Sequence, residues 1–88
     1  MASIKNLKKD INYVLGDIIG ECAAWELENP KSDTKKSEVI IDEAIDVFDD
    51  LIVKIYTKGV ENKKVHFRAI SAELEEKATL LLEKINNL

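Results

Sequence analysis

The chain is expected to be all-α, an up-down-up antiparallel three-helix bundle with helices at about 4–28, 35–58 and 62–87. Three observations predict this. Apolar residues recur at intervals of three and four along nearly the whole chain. The two interruptions are polar, and one holds the sole proline while the other holds a glycine placed to end a helix. Side chains suited to capping stand just ahead of each apolar run. Connections of roughly four to seven residues make sequence neighbours antiparallel neighbours in space. Residues 1–88 form one domain, with no internal repeat.

Ser3 is placed to cap the first helix, its hydroxyl accepting a backbone N–H that the first turn leaves unpaired. Ile4, Leu7, Ile11, Val14, Leu15, Ile18, Cys22 and Trp25 then fall along one side. Asn29-Pro30 ends the helix, because proline disfavours helical geometry at the residue before it. In the second helix, Thr34 or Ser37 is the expected cap and Glu38 suits the positive end of the dipole. Ile41, Ala44, Ile45, Phe48, Leu51, Ile52 and Ile55 form its core face, and Lys54 and Lys58 suit its negative end. Gly59 is expected to stop this helix in a left-handed conformation, with Val60 folding back. Asn62 caps the third helix, whose seam is Phe67, Ile70, Leu74, Ala78, Leu81, Ile85 and Leu88.

Composition narrows the function classes. Hydrophobic residues make up 45% and charged residues 34% of the chain, a globular balance. At 88 residues the apolar area suffices for folding with little to spare, so dimerisation would help. A net charge of −4 disfavours non-specific attraction to phosphate backbones and anionic lipid. Charged and polar residues interrupt each apolar run of the first twenty residues before a signal core or membrane span forms, so a cytoplasmic location is expected. The single cysteine, Cys22, excludes an intrachain disulfide and a cysteine-rich zinc site, and its place on an apolar stripe reads as a buried, inert thiol.

The first helix carries a second stripe. Tyr13, Gly16, Gly20, Ala23 and Leu27 are spaced 3, 4, 3 and 4, almost opposite Ile11, Ile18 and Trp25, with Ala24 beside them. Each glycine inside a helix costs about 1 kcal/mol relative to alanine, so two on one face need a return such as close backbone approach. Two bland readings stand beside this one: solvent-facing glycines that are merely tolerated, or close packing of the third helix. The sharper expectation is an interface formed by Tyr13, Gly16, Gly20, Ala23 and Leu27, for a second copy of the chain or a helical partner. A membrane GxxxG pairing does not fit, because Asp17 and Glu21 lie nearby.

Candidate chemistry is sparse. In DEAIDVFDD, Asp42, Glu43, Asp46, Asp49 and Asp50 read as a solvated acidic face opposite the helix's core, although carboxylates can ligate a divalent cation. The Glu43 to Asp46 spacing resembles half of the paired acidic motif of all-α nucleotide pyrophosphohydrolases. Such a resemblance implies a metal-dependent hydrolase using Asp42, Glu43, Asp46 and Asp49. The other half, a Glu-x-x-Glu pair on an earlier helix, has no counterpart in the first helix.

His66 is the only histidine and reads as a partly exposed boundary residue, with no phosphotransfer motif around VHFRAIS. None of Ser3, Ser32, Ser37 and Ser71 lies in a nucleophile-elbow context, and there is no phosphate loop. The groups Lys5-Lys8-Lys9 and Lys63-Lys64-Arg68 come to one end of such a bundle together with Lys54 and Lys58. With one arginine and no expected exposed aromatic row, nucleic acid is an unlikely partner. Trp25 reads as core packing.

SIKNLKKDINYVLGDII and EVIIDEAIDVFDDLI resemble stretches of small all-helical proteins of unassigned function from Bacteroidetes bacteria. The resemblance spans about a third to a half of the chain and implies a bacterial protein. The expectation from sequence is therefore a cytoplasmic interaction module, a homodimer or a binder of a partner helix. It has no assigned catalytic, cofactor-binding or metal-ligating residue, and it is expected not to be an enzyme.

Overall fold

The computed structural model describes residues 4–88, so Ser3, the expected cap of the first helix, lies outside the described residues. Three helices, α1 (Ile4–Glu28), α2 (Lys35–Ile55) and α3 (Lys63–Asn86), pack against one another in a rod 51 × 18 × 17 Å. The bundle is all-α, as its periodicity requires. Antiparallel register is fixed by side-chain contacts near both ends. Lys8 of α1 meets Tyr56 just after α2, and Glu26 of α1 meets Ser37 of α2. Between α2 and α3, Lys54 meets Glu73 and Lys84 meets Glu43.

The core is one layer of aliphatic side chains along the axis. Leu7, Ile11, Leu15, Ile18 and Cys22 of α1 close against Ile40, Ala44, Leu51 and Ile55 of α2 and Ile70, Leu74, Ala78 and Leu81 of α3. Val14, Ile41, Phe48, Ile52, Phe67, Ile85 and Leu88 pack around it half-buried. Three assignments change. Ile45, expected in the core, is 45% exposed, and Ile4 is 39% exposed at the start of its helix. Ile40, which is not among the expected core residues of α2, is buried. On a 100° projection Ile40 falls nearer than Ile45 to the Ala44–Leu51 axis of the buried face, which is why it is the one that turns inward.

The helix ends are sealed by side chains. Asn29 returns both its backbone N–H and its side-chain amide to the Trp25 carbonyl, ending α1 just before Pro30. At the start of α2, Thr34 stands at the cap position but makes no side-chain cap bond, and Asp33 Oδ1 accepts the Lys35 N–H at 2.9 Å instead. Ser37 is not a cap: it is fully buried inside α2 and its hydroxyl lies 2.5 Å from Glu26 and 2.9 Å from the Thr34 carbonyl. One hydroxyl hydrogen serves only one of these acceptors, and the charged carboxylate is the stronger.

The second helix ends at Ile55, three residues before the expected Lys58. Its last carbonyls are taken by Tyr56 and Thr57 N–H groups, by the Thr57 hydroxyl on Val53, and by His66 from α3 on Lys54. Gly59 does adopt a left-handed φ of 78°, but in the loop beyond the helix rather than at its first non-helical position. Asn62 caps α3 as expected, accepting the Val65 N–H at 3.2 Å.

Candidate functional site

The small-residue stripe lies on the outside of the bundle. Tyr13 is 62% exposed and Leu27 82% exposed, and Gly16, Gly20 and Ala23 between them are exposed as well. A Cβ built at Gly16 or Gly20 would meet nothing within 4 Å. Packing of α3 therefore does not explain these glycines, which removes one of the bland readings. Lys9, one turn before Tyr13, holds its ammonium 5.7 Å from the ring centroid, a cation–π pair that orients the ring on the helix surface.

The apolar surface is wider than the stripe. The Lys8–Tyr56 and Glu26–Ser37 contacts put Ile19 of α1 level with Ile45 of α2. Both lie on the flanks where the two helices meet: Lys8 and Glu26, on the same side of α1 as Ile19, contact α2, whereas Glu43 and Lys54 on the other side of α2 contact α3. Half-buried Ile19 and exposed Ile45 thus extend the margin formed by Gly16 and Ala23 onto the second helix. The intervals of three and four hid this, because they assign Ile45 to the inward face without fixing how wide that face is.

The other candidates resolve into structural roles. Of the five carboxylates of the DEAIDVFDD run, only Glu43 is half-buried against α3, while Asp50 is exposed and pairs within its own helix. Glu43 accepts from Lys84, and Asp50 pairs with Lys54 at 3.0 Å. Asp42, Asp46 and Asp49 are exposed. Among the described residues no three His, Cys, Asp or Glu side chains converge as a metal site would require. Lys54 also meets both oxygens of Glu73 at 2.7 Å, and these hydrogen bonds, Glu73 first and Asp50 second, hold its ammonium above the ordinary lysine range.

His66 is half-buried, its Nε2 2.6 Å from the Lys54 carbonyl and its ring against Phe67. Since a carbonyl only accepts, Nε2 carries the proton and the imidazole acts as a cap for α2. Cys22 is fully buried, and burial, then the carboxylates of Glu26 and Glu21, push its thiol above the ordinary range. A thiol held protonated and out of reach is a poor nucleophile. Trp25 is half-buried on the core side of α1.

One expectation about surfaces is overturned. Tyr13 and Tyr56, 43 positions apart in sequence, line the same cleft beside Lys5, Lys8 and Lys9, and both rings are more than half exposed. Among the described residues no helix is long and apolar enough to cross a membrane. Compared with family models, with curated proteins and with solved structures, the chain matches none.

Proposed function

We propose that the protein is a small interaction module that pairs two copies through the back of α1, with Gly16, Gly20 and Ala23 at the point of closest approach and Tyr13 and Leu27 at its edges. The observation that carries this reading is the open space beside both glycines. Two mid-helix glycines cost about 2 kcal/mol together, and nothing within the chain uses their small size. A second helix laid on the stripe would use it, and would also cover Leu27, Ile19 and Ile45.

Charge supports an antiparallel arrangement. Residues 4–16 and 48–79 occupy the half of the rod where α1 and α3 begin, and they hold nine of the 13 Lys and Arg but seven of the 17 Asp and Glu. That half carries +2 and the other −6, so opposite ends attract when two rods lie head to tail.

Sedimentation of wild type against Gly20→Leu tests the proposal. The expected wild-type species has twice the 9.9 kDa mass of one chain, and the substituted protein sediments as a monomer. Leucine at an open helical site also improves helix propensity by a few tenths of a kcal/mol or more, so the variant loses the dimer without losing its fold. A wild type that stays monomeric at about millimolar concentration, or a dimer unaffected by the substitution, overturns it.

A further inference from the structure

We propose that the end of the bundle where α1 and α3 begin is a binding surface for single-stranded nucleic acid. Two adjoining open clefts form this surface. The first, about 830 Å³, lies between the start of α1 and the residue after α2, and it is walled by Lys5, Lys8, Lys9, Tyr13 and Tyr56. The second, about 550 Å³, continues along the loop to Lys58 and Lys63 and shares Ile4 and Tyr56 with the first. No carboxylate lines either cleft, in a chain that has 17 of them. The net charge of −4 is therefore a poor guide to the field at this end, which lies in the half carrying +2.

The lysines stand where they oppose the fold. The first turns of α1 and α3 hold no acidic residue, and Lys5, Lys63 and Lys64 sit there against the positive ends of two helix dipoles. Each such placement costs roughly 0.3–1 kcal/mol, and the last turn of α1, with Glu26 and Glu28 and no basic residue, repeats the mismatch in the opposite sense. The positive ends of α1 and α3 outnumber the one negative end, that of α2, at this end of the bundle. The ammonium groups add to the difference, which an anion laid across it relieves.

The aromatic rings choose among anions. Lysines alone would serve an acidic peptide, but here the Tyr56 ring, which lies off the dimer face, is 55% exposed and is held by Lys8, while Tyr13 only borders the cleft from the edge of that face. Lys8 donates to the Tyr56 hydroxyl at 2.9 Å with its ammonium 5.4 Å from the ring centroid, which holds the ring in place. A positively charged track with an exposed ring along it is an arrangement that single strands use, phosphates on the ammonium groups and a base stacked on Tyr56. The chain's one arginine lies outside both clefts, so binding is expected to be indifferent to sequence.

The test is fluorescence anisotropy with a labelled oligothymidylate of about twelve nucleotides, with polyglutamate and phosphatidylserine vesicles as competitors. Binding is expected at about 50 mM salt and weakens roughly 20–100-fold by about 200 mM, as release of three to five counterions requires. Tyr56→Leu lowers affinity at least about five-fold, whereas Tyr56→Phe retains it, because stacking needs the ring and not the hydroxyl. Lys5→Glu with Lys63→Glu abolishes binding. The same charge change at the far end, Lys35→Glu with Lys36→Glu, leaves it within about two-fold. Gly20→Leu retains binding, which separates this surface from the dimer. Absence of binding at about millimolar protein, equal competition by polyglutamate or vesicles, an inert Tyr56→Leu, or equal loss in the far-end variant overturns the proposal.

Discussion

The two faces of α1 are built from the same helix and obey opposite rules. On the inner face Leu7, Ile11, Leu15, Ile18 and Cys22 are each at most 2% exposed and belong to one core cluster with residues of both other helices. On the outer face the side chains either disappear, at Gly16 and Gly20, or stand in solvent, at Tyr13 and Leu27. The inner face is saturated with partners, so any reduction in volume there leaves a hole. At Gly16 and Gly20 the outer face has no neighbour within 4 Å, so an increase in volume there meets no resistance. The difference teaches that helix periodicity marks where side chains line up, while only neighbours decide what each line is for.

The sharpest way to break the comparison is Leu15→Ala. It removes buried methyl groups at the middle of the inner face and should cost 2–5 kcal/mol by lost transfer energy plus the residual cavity. A domain of this size holds on the order of 4–13 kcal/mol in all, so the variant should sit near its unfolding transition at room temperature. Urea titration followed by circular dichroism measures this. A loss below about 1 kcal/mol would mean that the inner face is loosely packed and that the two faces differ less than their burial indicates.

The opposite change on the opposite face is expected to do the opposite. Gly16→Ala adds a methyl group into open space at a helical position, and should stabilise the monomeric fold by about 1 kcal/mol through helix propensity and a less flexible unfolded chain. The same urea titration, run at a concentration low enough to hold the chain monomeric, reads it. If Gly16→Ala instead destabilises, a contact that needs the glycine exists in the isolated chain, and the outer face is not free.

How far these faces were legible differs by element. The bundle, α1's full span and the Asn62 cap follow from local rules, namely spacing, a proline, and an oxygen three residues before an orphan N–H. The early end of α2 does not, because its last carbonyls are satisfied partly by His66, which reaches the Lys54 carbonyl from eleven positions beyond Ile55. Ser37 fits a capping pattern in sequence, yet the arrival of Glu26 from α1 draws it into the interior. The glycine stripe was visible as a pattern, but its openness was not. The Tyr13–Tyr56 cleft was invisible, since Tyr13 stands out only as part of the glycine stripe, Tyr56 belongs to no pattern, and only the antiparallel register brings them to one place. What sequence missed was in each case a contact between helices.

The smallest expected effect lies in pH, and it belongs to the inner face and its neighbouring ion pair. Burial holds the Cys22 thiol above its ordinary value of 9.0, so in alkali the unfolded chain releases this proton while the folded chain keeps it. The folded state then binds more protons, and stability falls as pH rises past about 9. Lys54 adds the same sign at higher pH. Its hydrogen bonds to Glu73 and Asp50 raise it above 10.5, so its contribution is complete below that value and is lost as pH rises through the folded value. Lys54 keeps about 40% of its side chain in solvent, whereas Cys22 is fully buried, so the share of Lys54 is the lesser of the two. Urea midpoints measured from pH 7 to 11 should be level to about 9 and then decline. In Cys22→Ala the first part of the decline should vanish, leaving only the part above 10.5. A decline that starts near 9 with the cysteine absent would assign the loss to a group other than the buried thiol, and the inner face of α1 would then be electrostatically silent.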